Sequence, residues 1–460
     1  MKAIWIRLAL LLALLPAAWA PQATAQPASA DPSGDWRGTI SAGEVTLRVA
    51  LHLGETSTFD SPDQGAIGVP AQMTVEGGSV VVNITGVGVF EGTLSTDGSE
   101  LAGILKQGPA SIPVRFERGL FAAANRPQTP LPPFPYRTED VSYVNPGQPD
   151  VHPAGTLTLP EIGGPFPAVL LITGSGAQDR DETLFEHKPF LVLADALTRR
   201  GVAVLRVDDR GTGGSSRGAP DDTTADYATD VEAGVAWLRA RADIDTGRIG
   251  LVGHSEGALI ASVVAGRDPS VGFVVLWAGP GVSGKEVVVE QRRAISLASG
   301  ASPEAAQQAV ELQRAILDAV IAAPEAAALR ASLDAITAAR GAPPIDQTTF
   351  AVLDLPWYRY FLSLDPAPAL RNVRAPVLAL LGGKDIQVTP YQNAPALRAA
   401  LAGNARASVE VLPGLNHLFQ TAQTGAVSEY ATIEETIAPV ALARMVDWIV
   451  EQAAVPALRR

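Results

Sequence analysis

Hydrophobic and polar positions alternate over the first part of the chain in the way that β-strands require. Apolar residues occupy every second position of one segment: Val45, Leu47, Val49, Leu51 and Leu53. Such a period of two turns one face of a strand toward a core. Further short apolar runs, separated by glycine and aspartate turn signals, lie at 78–84, 87–94, 101–106 and 112–116. About six strands without helical periodicity predict a small all-β, barrel-like domain over residues 34–118, with a sandwich as the alternative.

A proline-rich segment then marks a change of pattern. Prolines stand at 127, 130, 132, 133 and 135, which predicts an extended linker over residues 119–138. Beyond it, apolar runs such as 168–172 alternate with helical segments, the first of them predicted over 185–200. Continuous apolar runs are typical of parallel strands that are covered on both faces. Residues 139–460 are therefore expected to form an α/β domain with a mostly parallel, doubly wound sheet.

The alternation of strands and helices stops between residues 281 and 368. There Leu312, Ile316 and Val320 lie four positions apart, which puts them on one face of a helix. Ser302, followed by a proline and a glutamate, supplies the start signal of such a helix. This segment is predicted to be a helical cap inserted into the α/β domain.

The amino terminus has the features of a secretory signal. Lys2 and Arg7 precede an apolar run at 8–15, and Ala23-Thr24-Ala25 is the expected cleavage tripeptide. The run is shorter than the roughly 20 residues that a membrane-spanning helix needs. We therefore expect residues 1–25 to be a cleaved signal peptide, with export to a bacterial periplasm, or secretion, and no membrane anchor afterwards.

Composition excludes several classes of protein. Hydrophobic residues make up 47% of the chain and charged residues 18%, so a sizeable core can be buried. Lys plus Arg number 35 against 48 Asp plus Glu, a formal net charge of -13, and we expect no nucleic-acid partner. The sequence contains no cysteine, which excludes disulfides, zinc–thiolate sites, iron–sulfur clusters and a cysteine nucleophile.

The most specific motif is Gly253-His254-Ser255-Glu256-Gly257. It follows the apolar segment 248–252 and precedes the helical segment 258–265, so Ser255 is expected at a sharp strand-to-helix turn. Small residues two positions on either side avoid the collisions that such a turn would cause. The serine hydroxyl would then stand at a helix amino terminus, where developing negative charge is favoured. We predict that Ser255 is a nucleophile.

A serine hydroxyl needs a base, and the base needs a carboxylate to orient it. The sequence offers five histidines: His52, His152, His187, His254 and His417. His417 follows the last predicted strand, where a sheet of this class delivers its base. Asp385 follows the preceding predicted strand, through Gly382-Gly383-Lys384. The chain order Ser255, Asp385, His417 predicts a catalytic triad.

Further side chains are assigned by position. Small residues at Thr173-Gly174-Ser175-Gly176 would let backbone N–H groups approach a substrate oxygen; the alternative is a plain glycine turn. The oxyanion hole would combine the backbone N–H of Glu256 with one from this loop. Ser175 is the preferred donor of the loop, and Gly174 and Gly176 are the further candidates. The aromatic residues Trp357, Tyr360 and Phe361 would form either an apolar substrate wall or cap-to-core packing, and His187 is a candidate wall residue. The charged stretches 178–182 and 208–213 are interpreted as loop scaffolding.

From about residue 141 onward the chain resembles the bacterial carboxylesterases of the α/β-hydrolase fold, specifically the esterase-D-like group, whose core is related to the acylaminoacyl-peptidases. The resemblance rests on 174–182, on the pentapeptide around Ser255, on 357–366, and on Asp385 and His417. It implies that these three residues form the triad. It also implies hydrolysis of short-chain acyl esters through an acyl-enzyme, with no metal or cofactor.

Two other functions stay open at this stage. A serine peptidase would use the same triad, because an amide differs mainly in the protonation of its leaving amine. A binding protein with an inactive hydrolase core would use the β-domain instead. The expected partner is a small-molecule ester, while the natural ester, the role of the β-domain and the oligomeric state are not predicted.

Overall fold

The computed structural model describes residues 31–42, 45–76, 78–108 and 110–453; the predicted signal peptide lies outside these ranges. The chain divides into two compact units. The first contains the described residues up to Asn125, together with 184–186 and 343–352. The second contains 126–183, 187–342 and the chain from Leu353 onward.

In the described residues of the first unit, eight antiparallel strands form a closed barrel. They are β1 (Gly34–Ala42), β2 (Val45–Leu53), β3 (Ser57–Ser61), β4 (Ala66–Glu76), β5 (Ser79–Ile84), β6 (Gly88–Leu94), β7 (Glu100–Gln107) and β8 (Ala110–Arg118). The barrel closes because β1 pairs with both β2 and β8. The interior is packed with side chains such as Trp36 and Leu51, both fully buried. The guanidinium of Arg118 lies 4.3 Å from the centre of the Trp36 ring.

The small all-β domain is confirmed, but it contains more strands than the pattern predicted. β3 has a single large apolar residue, Phe59, between serines, threonine and aspartate. β4 carries Gly68 and Pro70 and turns Ile67 to solvent. The apolar alternation is therefore weak in both strands, although the barrel pairs them fully.

The second unit is built on a mixed sheet of eight strands within the fully described stretch 110–453. They are β9 (Tyr136–Ser142), β10 (Ala154–Pro160), β11 (Phe166–Ile172), β12 (Ala203–Val207), β13 (Ile244–His254), β14 (Phe273–Trp277), β15 (Val377–Gly382) and β16 (Ala407–Leu412). Their order is β16-β15-β14-β13-β11-β12-β10-β9. The six strands from β16 to β12 are parallel, and β10 and β9 are antiparallel to their neighbours.

Helices connect these strands. They are α1 (Pro189–Thr198), α2 (Thr224–Arg239), α3 (Glu256–Arg267), α4 (Gly284–Ala298), α5 (Pro303–Ala322), α6 (Ala326–Ala339), α7 (Gln347–Leu353), α8 (Pro356–Ser363), α9 (Ala367–Asn372), α10 (Pro390–Ala400) and α11 (Pro439–Gln452). Single turns of 3-10 helix lie at Pro62–Gln64 and Val427–Glu429. Two hydrophobic cores cover the sheet. Leu170 of β11 packs with α2 and α3 in one, and its neighbour Leu171 packs with α1 and α11 in the other.

The arrangement confirms the predicted α/β-hydrolase fold with a helical insertion, since α4 to α9 lie between β14 and β15. Two boundaries differ from the prediction. The first helix begins at Pro189 rather than 185, because Phe185 and Glu186 have left-handed backbones, with φ of 51° and 63°. β9 begins at Tyr136, inside the range predicted as linker, where it pairs with Pro160. Among the described residues, no helix combines the length and apolarity that a membrane crossing requires.

Candidate active site

The site is centred on the turn between β13 and α3. Ser255 has φ of 53° and ψ of -116°, a strained conformation for a residue with a side chain. A Cβ atom on Gly253 would lie 2.1 Å from the carbonyl oxygen of Gly257. A Cβ atom on Gly257 would lie 2.2 Å from the carbonyl oxygen of Ile172. Both positions therefore require glycine, as the motif predicted.

Backbone hydrogen bonds hold Ser255 in this conformation. Its N–H donates to the carbonyl of Trp277 at 2.9 Å, and its carbonyl accepts from the N–H of Ala258 at 3.0 Å. The residue is partly exposed and begins the helix α3, whose dipole favours negative charge near the hydroxyl. Among the described residues the hydroxyl has no hydrogen-bond partner.

Asp385 and His417 come together beside this turn. Asp385 follows β15 and His417 follows β16, and the imidazole Nδ1 lies 2.7 Å from a carboxylate oxygen of Asp385. The other oxygen of Asp385 accepts from the N–H groups of Gln387 and Val388, each at 2.8 Å. Both partners are buried. This contact would fix Nδ1 as the protonated nitrogen and leave Nε2 to act as a base.

The loop that follows β11 is held by a carboxylate from the loop after β12. Asp209 accepts from the hydroxyl of Thr173 and from the N–H of Gln178, each at 2.8 Å. Burial raises the pKa of Asp209 well above its ordinary value, although these hydrogen bonds oppose the change. The loop expected to carry the oxyanion hole is thus fixed at both ends.

The predicted oxyanion donors differ in availability. The N–H of Gly174 donates to the carboxylate of Glu182 at 2.7 Å, so it is occupied. In the described part of the chain, the N–H groups of Ser175, Gly176 and Glu256 have no acceptor. Ser175 and Glu256 therefore fit the predicted pair better than Gly174 does.

The Glu256 side chain links the elbow to the cap. Its carboxylate accepts from the hydroxyl of Thr224 at 2.7 Å and from the indole N–H of Trp357 at 2.8 Å. Burial raises the pKa of Glu256, and the hydrogen bonds from Thr224 and Trp357 only partly oppose the rise. Trp357 is thereby anchored beside the predicted oxyanion hole.

The aromatic residues of α8 lie on two different faces. The rings of Trp357 and Phe361 stack with centroids 5.8 Å apart, and both residues are buried. Tyr360 is 37% exposed and lines a cavity of about 530 Å³ with Arg359 and with Ile321 of α5. None of the three predicted triad residues lines this cavity. The structure thus places these aromatic residues in two separate environments.

His187 lies away from any open surface. It is fully buried, with Nδ1 3.0 Å from the hydroxyl of Thr436 and Nε2 3.1 Å from the carbonyl of Tyr430. Burial lowers the pKa of His187 to about 4. With both nitrogens held, the side chain connects two segments of the fold and presents no face to a substrate.

A second histidine–carboxylate contact lies beside the predicted base, and no sequence motif predicts it. Nδ1 of His254 lies 2.9 Å from Glu182, and Nε2 lies 3.2 Å from the carbonyl oxygen of His417. The His254 and His417 rings have centroids 4.8 Å apart. Glu182 belongs to the stretch interpreted as scaffolding, and no local pattern pairs it with a residue 72 positions away.

Comparison with known proteins places the chain in a family. Over 272 residues it is 29% identical to esterase EstD of Thermotoga maritima, covering 57% of each chain. It is 36% identical over 113 residues to an uncharacterized protein of Mycobacterium tuberculosis, covering 25% of this chain and 36% of that protein. The chain thus spans less than two thirds of either relative.

Among solved structures, the esterase Pf2001 of Pyrococcus furiosus aligns with 72% of this chain and 98% of its own, at 16% identity and a TM-score of 0.44. Residues 154–411 match the family described as X-Pro dipeptidyl-peptidase (S15 family), and this match spans more than half of the chain. The chain therefore belongs to the S15 family.

Proposed function

We propose that the protein is a serine hydrolase that cleaves short-chain carboxylic esters through an acyl-enzyme. One observation carries the proposal. The serine of a strained elbow follows His254, whose ring centroid lies 4.8 Å from that of His417, and His417 is paired with the buried Asp385 at 2.7 Å. A partly exposed nucleophile at a helix amino terminus and an oriented base are the components that acyl transfer requires.

In the proposed reaction, the hydroxyl oxygen of Ser255 attacks the ester carbonyl carbon while Nε2 of His417 takes the hydroxyl proton. This step needs a Ser255–His417 hydrogen bond, which forms when substrate binds. Asp385 orients His417 and stabilises the imidazolium. The N–H groups of Ser175 and Glu256 hydrogen bond to the oxyanion. Collapse of the tetrahedral intermediate breaks the ester C–O bond, and His417 gives its proton to the departing alcohol.

Deacylation repeats the same steps with water. His417 takes a proton from the water as it attacks the acyl carbon, and the second tetrahedral intermediate forms in the same oxyanion hole. The proton then returns to the Ser255 oxygen as the carboxylic acid leaves. Each cycle therefore consumes one ester and one water, and it restores the enzyme.

Amide hydrolysis is the second candidate, because the matched family is described by a peptidase activity. The similarity to EstD favours esters instead. An amide would demand efficient proton delivery to a poor leaving group, and the same His417 would supply it. The two candidates share every step up to the leaving group.

The test compares p-nitrophenyl esters from acetate to decanoate with aminoacyl-p-nitroanilides. We expect turnover of the short esters and labelling by a fluorophosphonate, both lost in Ser255→Ala. Ser270→Ala, in an exposed loop, is the control and should keep both. A preference for the anilides would replace the ester proposal with the peptidase. If the wild type shows neither turnover nor labelling, the binding-protein hypothesis is favoured.

A further inference from the structure

Glu182 and His254 form a buried pair that the proposed reaction does not use. Glu182 is 2% exposed and His254 is 4% exposed. One oxygen of Glu182 accepts from both Nδ1 of His254, at 2.9 Å, and the N–H of Gly174, at 2.7 Å. The opposite edge of His254 faces the His417 carbonyl at 3.2 Å. The pair thus connects the predicted oxyanion loop to the loop of the predicted base.

The hydrogen-bond partners determine the protonation of His254. A carbonyl oxygen only accepts, so Nε2 carries a proton toward His417. The Glu182 oxygen already accepts from Gly174, so Nδ1 carries a proton as well. Burial lowers the pKa of His254, but the charge and hydrogen bond of Glu182 outweigh it and leave the pKa raised. Both ring nitrogens of His254 thus face acceptors, and these acceptors lie on opposite sides of the ring.

Two features of this pair lower the stability of the fold. Glu182 has a left-handed backbone, with φ of 53°, which is uncommon for a residue with a side chain. Its second carboxylate oxygen is buried and has no hydrogen-bond partner among the described residues. Buried ion pairs contribute little net stability, because desolvation offsets their attraction. Strain and an unsatisfied polar atom next to a reactive centre indicate a functional role.

We propose that Glu182 and His254 are positioning residues, which set the oxyanion loop and the catalytic histidine at their working separation. The proposal rests on the proposed function. His254 precedes the nucleophile in the chain, so its ring ties Ser255, His417 and Gly174 to one rigid unit. The N–H of Gly174 donates to Glu182, and this hydrogen bond holds the loop so that the neighbouring N–H of Ser175 points to the oxyanion. Neither positioning residue touches the substrate.

The test uses two amide substitutions that separate the two ends of the His254 ring. Asparagine places its amide near Nδ1, and glutamine places its amide near Nε2. His254→Asn can contact Glu182 but loses the His417 carbonyl, whereas His254→Gln keeps a donor to that carbonyl. The measurement is the pre-steady-state burst with p-nitrophenyl acetate. Burst amplitude gives the fraction of active enzyme, and the burst rate constant gives acylation per active site.

We expect His254→Asn to lower the acylation rate constant about 100-fold, since a displacement of about 1 Å has this effect. His254→Gln keeps the donor to His417 but loses Glu182, so it should also lower the rate constant, because the link between the two loops is cut at its other end. KM should change little in both variants. A rate constant within about fivefold of the wild type in either variant, or a lower amplitude at an unchanged rate constant, would overturn the proposal and indicate a structural role. A wild type that prefers anilides would end the ester proposal alone, and the comparison would then be made on an anilide.

A second variant covers the case in which His254→Asn fails to fold. Glu182→Gln has nearly the same size, and its amide oxygen still accepts from His254 and Gly174. We expect its acylation rate constant to stay within about tenfold of the wild type, because the contacts persist while the charge is lost. A 100-fold or larger loss would overturn the positioning role and attribute the effect to charge.

Discussion

Two histidine–carboxylate pairs lie next to each other in the second unit, and their differences separate a base from a support. Both pairs are buried, with contacts of 2.7 Å for His417–Asp385 and 2.9 Å for His254–Glu182. In the first pair, only Nδ1 of the histidine is held by a described residue. In the second, both nitrogens face acceptors. A histidine that takes and returns protons needs one nitrogen available, and His254 has none.

The carboxylates of the two pairs, Asp385 and Glu182, differ in the groups that donate to them. Asp385 receives two backbone N–H groups from the turn that carries it, so its orientation is set locally. Glu182 instead accepts from Gly174, which lies in the predicted oxyanion loop. The first pair is thus organised within one edge of the sheet, and the second connects separate loops. The same two residue types therefore support two roles, and the attached loops decide which role each pair has.

The largest effect is expected from a substitution in the first pair, His417–Asp385. Asp385→Asn would keep the size of the side chain but present an amide N–H to Nδ1, which favours the wrong imidazole tautomer. We expect kcat for p-nitrophenyl acetate to fall about 10⁴-fold, with the thermal unfolding midpoint nearly unchanged. Asp447→Asn on α11, where the side chain is 67% exposed, is the matched control and should be fully active. A loss below tenfold would remove Asp385 from the triad.

The next largest effect is expected on the free energy of unfolding. It comes from substitutions in the second pair, His254–Glu182, and separates the function of that pair from its contribution to folding. Glu182→Leu would leave two buried groups, the N–H of Gly174 and the Nδ1 edge of His254, without their acceptor, and we expect the free energy of unfolding to fall by about 3 kcal/mol. Adding His254→Leu removes the unpaired imidazole edge. The double variant should regain part of this stability in urea titrations, yet acylate slowly. A double variant as unstable as the single one would mean that the pair is maintained for the fold.

Sequence reasoning predicted the fold because buried strands have a local signature. β11 and β14 are uninterrupted apolar runs, and their alternation with helices is enough to specify the sheet. Strand order also brings the loops after β13, β15 and β16 to one edge, where Ser255, Asp385 and His417 were predicted. The structure shows the Asp385–His417 contact, and the catalytic roles of these residues stay predictions.

The second pair could not be predicted in the same way. Glu182 stands in a run of charged residues, and most such residues do brace loops; Arg180, for example, pairs with Asp208 at 2.7 Å. Glu182 is distinguished by its left-handed backbone and by its burial. A left-handed backbone can be expected from sequence mainly at glycine, and no local pattern marks this charged residue as buried. Barrel strands β3 and β4 were missed for a related reason, since closure of the barrel, rather than apolar alternation, determines their pairing.

The smallest effect is expected on the pH dependence of stability, and it comes from a third histidine, His187. Comparison with His254 tests how a neighbouring carboxylate changes the pKa of a buried histidine. His187, like His254, has both nitrogens held, but its partners are the neutral Thr436 hydroxyl and Tyr430 carbonyl. Burial, together with the positive charge of Arg126, lowers its pKa to about 4, whereas Glu182 leaves the pKa of His254 raised. Because the unfolded state binds the proton near pH 6.5, stability is lost as the pH falls from about 6.5 toward 4.

His187→Gln keeps polar atoms for both partners and removes the titration. Between pH 7 and pH 5 we expect the wild type to lose about 2 kcal/mol of unfolding free energy relative to this variant, measured in urea titrations at each pH. Other titrating groups are common to both proteins and cancel in the difference. If the difference is independent of pH, His187 keeps its ordinary protonation in the fold. The contrast with His254 would then not come from the carboxylate.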